Sequence, residues 1–252
     1  MKDSSIPNVP VILTITDTSD SPKFNLPDGY TFATYNEDEH DDFEVSWVKL
    51  CMDENYFSNF ADALDYFESS IVPLQDALKT KFVFVKDSQG SIVAIAALWH
   101  GFDFGTTKPR IHFIAVNPAC HMQGIAKAMV TKLLEIFNSF PKNNFLYVLT
   151  QTQSYALCNM FLTFDFEPYF DERPVKWNMS VETFEATKYR AWQLIIDKIN
   201  IRYPDVEIFE DEDDEEEYFS GFIIDGIVCE YDWHRNSRFD SNCSGSSYVD
   251  FL

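Results

Sequence analysis

Residues 113–134 read FIAVNPACHMQGIAKAMVTKLL. A short apolar run ends at Val116, a loop follows, and Gly124 opens a stretch with apolar residues at 125, 129, 133 and 136, which is helical spacing. A strand, a short loop and a helix N-terminus together make an anion site. The first backbone N–H groups of a helix have no intrahelical partner, and the macrodipole adds partial positive charge there. Glycine at 124 lets a ligand approach the backbone with no Cβ in the way. The whole chain has only eight glycines, so one placed at this turn asks for a reason. No arginine or lysine stands in the loop before Gly124, so an anion bound here is held by backbone.

Working outward, the run KFVFVKDSQGSIVAIAALW predicts a hairpin, Phe82–Val85 and Ile92–Trp99 about a DSQG turn. RIHFIAVNP is the next strand, and the helix that follows is predicted over Ile125–Phe137, with Pro141 as its stop. FLYVLT, Phe145–Thr150, is a buried strand; Ser154–Phe164 reads as a helix and FEPYF as the strand after it. Upstream, a Pro-Asp-Gly turn precedes a strand over Tyr30–Tyr35, the acidic stretch Glu37–Glu44 leads into a helix through Cys51, and a second helix spans Phe60–Leu78 with an interruption near Pro73. Residues 1–26 read as a loose start with room for one strand, at the apolar run VPVILTI. Near the other end, Ser180 caps a helix whose apolar face is Phe184, Ala191, Trp192, Ile195 and Ile199, and which Pro204 ends. Asp225-Gly226 marks a further hairpin, and the last twenty residues read as flexible. The element order predicts an α/β fold: a mixed central sheet with helices on both faces.

Composition narrows the function. Apolar residues are 46% of 252, enough for a core, and no apolar run approaches the ~20 residues that cross a bilayer. The N-terminus lacks the apolar centre of a signal peptide. Five cysteines without C-x-x-C spacing argue against a disulfide framework and against a zinc site, so reduced thiols and a cytoplasmic location are expected. A net charge of −22 opposes nucleic-acid binding. Ten acids and no base lie in Asp205–Glu217, a solvated acidic extension or a docking surface for a basic partner.

Val116, Pro118, His121, Gly124 and Ala126 resemble the coenzyme A motif of the GNAT (Gcn5-related N-acetyltransferase) superfamily, V-x-P followed by [R/Q]-x-x-G-x-[G/A]. TQTQSYALCNMFLTFDFEP, ending in Phe166 and Pro168, is similar to the family's closing segment, with Asp165 in place of a glycine and Met160-Phe161 in place of an alkyl-tyrosine pair. The resemblance implies the GNAT acyl-CoA N-acyltransferase fold over 27–177, preceded by the segment 1–26 and followed by a C-terminal helix, acidic run and hairpin over 178–252. It implies acyl transfer from acetyl-CoA to an amine, with no metal. It implies pyrophosphate binding by backbone N–H groups of His121, Met122, Gln123, Gly124, Ile125 and Ala126, and a pantetheine arm along Ile114, Ala115 and Val116. Asn159 and Phe161 are carried over as coenzyme-facing positions. A homodimer is in keeping with the family.

The chemistry then asks for a base. Freeing the lone pair of a lysine-like amine of pKa ~10.4 at pH 7 costs about 4.6 kcal/mol. The strand before V-x-P carries no acid; it carries His112, which strand alternation puts on the same face as Ile114. His112 is the expected base or water-positioner, with Glu44 and Asp53 as weaker candidates. Phe161 cannot protonate a leaving thiolate, so Tyr155, Tyr147 or Cys158 substitutes, or the thiolate leaves unassisted at a cost of about 2 kcal/mol. The net charge leans toward a cationic acceptor. The alternative is a catalytically weak GNAT-fold module that binds acyl-CoA and engages a basic partner through the acidic extension.

Overall fold

The computed structural model describes residues 2–140 and 145–200, and the backbone of 201–202, 207–210, 219–224 and 227–232. A seven-stranded mixed sheet and its helices divide between two compact units. One comprises residues 22–101 and 108–146, and holds the loop before Gly124.

That unit starts from strand β2 (Thr31–Ala33) and helix α1 (His40–Asp53). The acidic stretch forms the 3-10 turn Glu37–Glu39 and the first turn of α1, where carboxylates suit the helix dipole. The second predicted helix is divided into four helical pieces. Helix α2 (Phe60–Tyr66), capped by the Asn59 side chain on Asp62 N–H at 2.9 Å, runs into a π turn (Phe67–Ile71). Pro73 sits in a 3-10 turn before α3 (Gln75–Lys81), because proline cannot supply the N–H that a continuous helix needs. Strands β3 (Phe82–Lys86), β4 (Ile92–Gly101) and β5 (Lys108–Val116) follow as an antiparallel meander, with β2 on the outer edge of β3. The hairpin turn is held by Asp87, whose side chain accepts from Gln89 and Ser91 N–H, each at 2.9 Å. Helix α4 (Ile125–Asn138) packs on β3, β4 and β5 through Ile125, Met129, Val130 and Leu133. An aromatic core of Phe43, Trp47, Phe67, Phe82, Phe84, Trp99 and Phe113 joins α1 and the π turn to the same strands. Helices thus lie against the sheet through two separate sets of side chains, as the pattern predicts.

The other unit contains residues 1–21, 102–107 and 147–252. The apolar run near the start forms the strand it suggests, β1 (Pro10–Ile15), with Ile12 and Leu13 fully buried. It lies between β6 (Leu146–Gln151) and the short β7 (Glu167–Pro168). Helix α5 (Tyr155–Leu162) lies between β6 and β7 in sequence. Helix α6 (Val181–Arg202) buries Phe184, Ala191, Trp192, Ile195, Ile196 and Ile199, the predicted face. Ser180 Oγ accepts from Thr183 N–H at 3.1 Å, the predicted cap. Ser180→Ala should cost about 1 kcal/mol of stability, measured as a lowered denaturant midpoint with unchanged slope.

Strands β8 (Glu207–Glu210), β9 (Phe219–Ile224) and β10 (Ile227–Asp232) form a separate antiparallel sheet. Residues 207–210 of the acidic run form the strand that pairs with β9. Ile224 pairs with Ile227, the register of a two-residue hairpin. Asp225-Gly226 itself, residues 205–206 and 211–217 of the acidic run, Pro141, Pro204 and the last twenty residues lie outside the described residues.

Candidate functional site

The loop between β5 and α4 is built by two left-handed residues. Val116 is followed by Asn117, whose N–H donates to Val93 O at 2.8 Å and whose side chain accepts from Ala119 N–H at 3.0 Å. Pro118–Cys120 makes one 3-10 turn. Met122 then takes φ 61° and Gly124 takes φ 87°. Left-handed backbone between ordinary residues turns successive N–H groups toward a common concavity. The N–H groups from Met122 to Lys127 donate to no acceptor among the described residues. A Cβ built on Gly124 meets no atom within 4 Å, so the space before this row is open. Glycine is required here by backbone angle rather than by crowding.

His121 is arranged differently from the expectation. Its N–H donates to Pro118 O at 3.3 Å, and its Nε2–H turns back to donate to Val116 O at 2.7 Å. The imidazole ties the strand end to the loop. Gln123 accepts a hydrogen bond from the Tyr30 hydroxyl at 2.9 Å. Lys127, the basic residue nearest the row in sequence, lies over the Phe24 ring at 4.7 Å.

Strand β5 is not regular. Ile95 pairs with Ala115, but Ala97 pairs with His112, so β5 holds one residue more than β4 between those pairs. This is a β-bulge at Phe113–Ile114, and Phe113 carries φ 55°. Left-handed backbone at a phenylalanine costs on the order of 1–3 kcal/mol. The fully buried ring, packed on Trp47, Tyr56, Tyr66, Phe82 and Trp99, offsets it.

The bulge corrects the face assignment of His112. Alternation places His112 with Ile114, but the extra residue puts the His112 and Phe113 rings together against one side chain, Tyr56. Tyr56 meets His112 edge-on at 5.5 Å and Phe113 at 5.8 Å. The Tyr56 hydroxyl donates to Ile114 O at 3.3 Å. Tyr56, in the turn after α1, was missed by sequence reading because a loop residue has no periodicity to mark it. His112 Nε2 is sealed from solvent and makes no hydrogen bond. Burial first, and then the Arg110 guanidinium, hold the imidazole well below its usual range, so it is neutral.

The remaining candidates lie in the other unit. Cys158 and Phe161 are fully buried in α5, and Phe161 packs edge-on against Phe166 at 5.0 Å. Burial pushes the Cys158 thiol upward, away from proton donation. The Tyr147 hydroxyl donates to the buried Asp103 carboxylate. Tyr155 and Asn159 are half-buried. In the first unit, Glu44 lies beside His40 and Glu68, and Asp53 is exposed at the end of α1.

The family model described as the acetyltransferase (GNAT) family matches residues 32–166. No curated protein matches the chain. Among solved structures, a Gcn5-related N-acetyltransferase from Sphaerobacter thermophilus is similar at 15% identity and TM-score 0.50, covering 64% of this chain and 49% of that one. An acetyltransferase of the GNAT family from Colwellia psychrerythraea aligns at 12% identity and TM-score 0.47, over 64% and 52%. A tandem GNAT protein from the clavulanic acid biosynthesis pathway aligns at 12% and 0.46, over 67% and 52%. The chain thus spans about half the length of these structures, and its likeness to the first is one of fold. Among the described residues no helix is long and apolar enough to cross a membrane.

Proposed function

Because the chain belongs to the GNAT acetyltransferase family, we propose that it transfers an acetyl or related acyl group from acetyl-CoA to an amine, by direct attack of the amine on the bound thioester. The observation that carries this reading is the row of unpartnered N–H groups from Met122 to Lys127, opened by Gly124. It suits a pyrophosphate without a basic side chain. His121 serves by fixing the strand end rather than by reaching the ligand. The bulge at Phe113–Ile114 breaks the regular β4–β5 ladder, which suits a pantetheine arm along Ile114, Ala115 and Val116.

Acetyl-CoA supplies an activated acyl carbon; the chain supplies position and a place for the proton. His112, neutral and of lowered basicity, is placed in this reading as a weak base or water-positioner, relaying to water the proton that the attacking amine sheds as the C–N bond forms and the C–S bond breaks. Tyr56 positions the bulge through Ile114 O. Of the donors considered for the departing sulfur, Tyr155 is favoured over Cys158 and Tyr147, whose burial and Asp103 contact tie them up. Asn159 stands as a coenzyme contact and Phe161 as apolar support. A cationic acceptor, a homodimer and a cytoplasmic location, without nucleic-acid or membrane partners, complete the proposal.

Calorimetry at low salt tests it. CoA and acetyl-CoA should both bind, and no heat at millimolar ligand would overturn the reading. A second reading, a GNAT-fold acyl-CoA-binding module with little turnover, is favoured by the burial of Phe161 where the family motif has a tyrosine. Thiol release from acetyl-CoA with a panel of amines separates the two.

A further inference from the structure

Away from the loop and the bulge, His40, Glu44 and Glu68 bring their ligating atoms within 4.8 Å of one another. His40 and Glu44 stand one turn apart on α1, at i and i+4, and so share a face. Glu68 comes from the π turn, and its Oε1 lies 3.0 Å from His40 Nε2. Two donors each ~2.1 Å from one ion stand on the order of 3–4 Å apart, so the three side chains are already near ligand spacing.

Two further observations distinguish this group from an ordinary acidic surface. The first is Tyr35, which is 5% exposed and places its hydroxyl 2.7 Å from His40 Nδ1. A buried partner on the far nitrogen orients the ring and directs Nε2 at the two carboxyl groups, the arrangement that supports a metal-bound imidazole. The second is a charge imbalance. The ligating oxygens of Glu44 and Glu68 lie within 4.8 Å of each other, and two carboxylates that close repel unless a cation stands between them. The neighbouring lysines are engaged elsewhere, Lys79 with Glu37 at 2.5 Å and Lys86 with Glu39 at 2.6 Å. Asp38, Asp41 and Asp42 add negative charge nearby in sequence.

We propose that His40 Nε2, Glu44 and Glu68 bind one divalent transition-metal ion, with water completing the shell. An imidazole with two carboxylates suits Zn²⁺ or Co²⁺ over Mg²⁺ or Ca²⁺, which prefer oxygen alone. The ion joins α1 to the π turn and takes no part in acyl transfer. The inference therefore does not depend on the proposed activity.

The test uses the full chain, stripped with a chelator. Zn²⁺ is followed by calorimetry and Co²⁺ by visible absorption. One equivalent should bind. His40→Ala and Glu44→Gln should each weaken it at least ~10-fold, and Tyr35→Phe should weaken it about 10-fold at the same stoichiometry. Mg²⁺ in excess should not compete. Absence of binding to the wild type overturns the proposal. So does equal affinity in wild type, His40→Ala and Glu44→Gln, which would assign the metal to other carboxylates such as those of 205–217. Should His40→Ala fail to fold by circular dichroism, Glu68→Gln, on an exposed turn, gives the same decision.

Discussion

His112→Ala should lower kcat for amine acetylation on the order of 10²-fold or more near pH 7, with CoA affinity little changed. At neutral pH the acceptor arrives as an ammonium ion, and something must take its proton. Burial and Arg110 hold the His112 ring well below the usual histidine range, so it is neutral and free to take part, but as a weak base that passes the proton on through water rather than keeping it. The wild type should accordingly show no acid limb near pH 6.5 in kcat/KM. In the variant the loss should shrink as pH rises toward the acceptor's own pKa, because the amine then sheds its proton to solvent. A histidine that only packs against Tyr56 and Phe113 gives a loss that does not vary with pH, so the pH profile decides the role. Stability carries a matching sign. The folded imidazole resists protonation while the unfolded one accepts a proton below about pH 6.5, so the unfolded state binds more protons there. Wild-type stability should fall as pH drops below that value, by up to about 1.4 kcal/mol per unit from this group. Denaturant titrations of His112→Ala should lack that increment.

The second large effect is expected at Gly124. A valine at φ 87° puts a β-branched side chain into left-handed backbone, with strain on the order of 1–3 kcal/mol. No protein atom lies within 4 Å of the new Cβ, so the variant should fold. The side chain nevertheless occupies the space before the row of N–H groups. Gly124→Val should therefore raise the Kd for CoA at least ~10-fold, an expected loss of about 1.4 kcal/mol. Gly105 is the control: it has φ 71°, likewise meets nothing within 4 Å, and lies outside the loop. Gly105→Val should show a comparable fall in melting temperature with CoA affinity unchanged. Equal Kd values for wild type and Gly124→Val, by calorimetry, would remove the loop from the binding site.

The regular elements were legible in the sequence for a common reason. The β3–β4 hairpin sets two β-rich apolar runs about an Asp-Ser-Gln-Gly turn whose side-chain bonds are local, and α6 displays one apolar face behind a serine cap. Such signals act over a few residues and survive in any tertiary setting. The start of the chain was harder. Val11 to Leu13 is an apolar run with no adjacent turn signal to pair it locally, and its partner at Pro168 is remote in sequence. The interruption of the second helix was visible at Pro73, whereas the π turn before it has no propensity signal at all.

For the site, the sequence by itself determined the strand–loop–helix unit, the glycine at its hinge and the absence of a cation from the loop. Each follows from residue type and local backbone preference. Only the tertiary structure decided what those residues face. A left-handed phenylalanine contradicts local preference, and it persists because five aromatic rings hold Phe113 in the core. That single strained residue shifts the register of β5, turns His112 toward Tyr56 and puts Ile114 O under a tyrosine hydroxyl. The His121 ring likewise turns to Val116 O rather than outward, and His40 acquires Glu68 from 28 positions away. Contacts of this kind arise from packing over long sequence separations, and no local pattern in the chain encodes them.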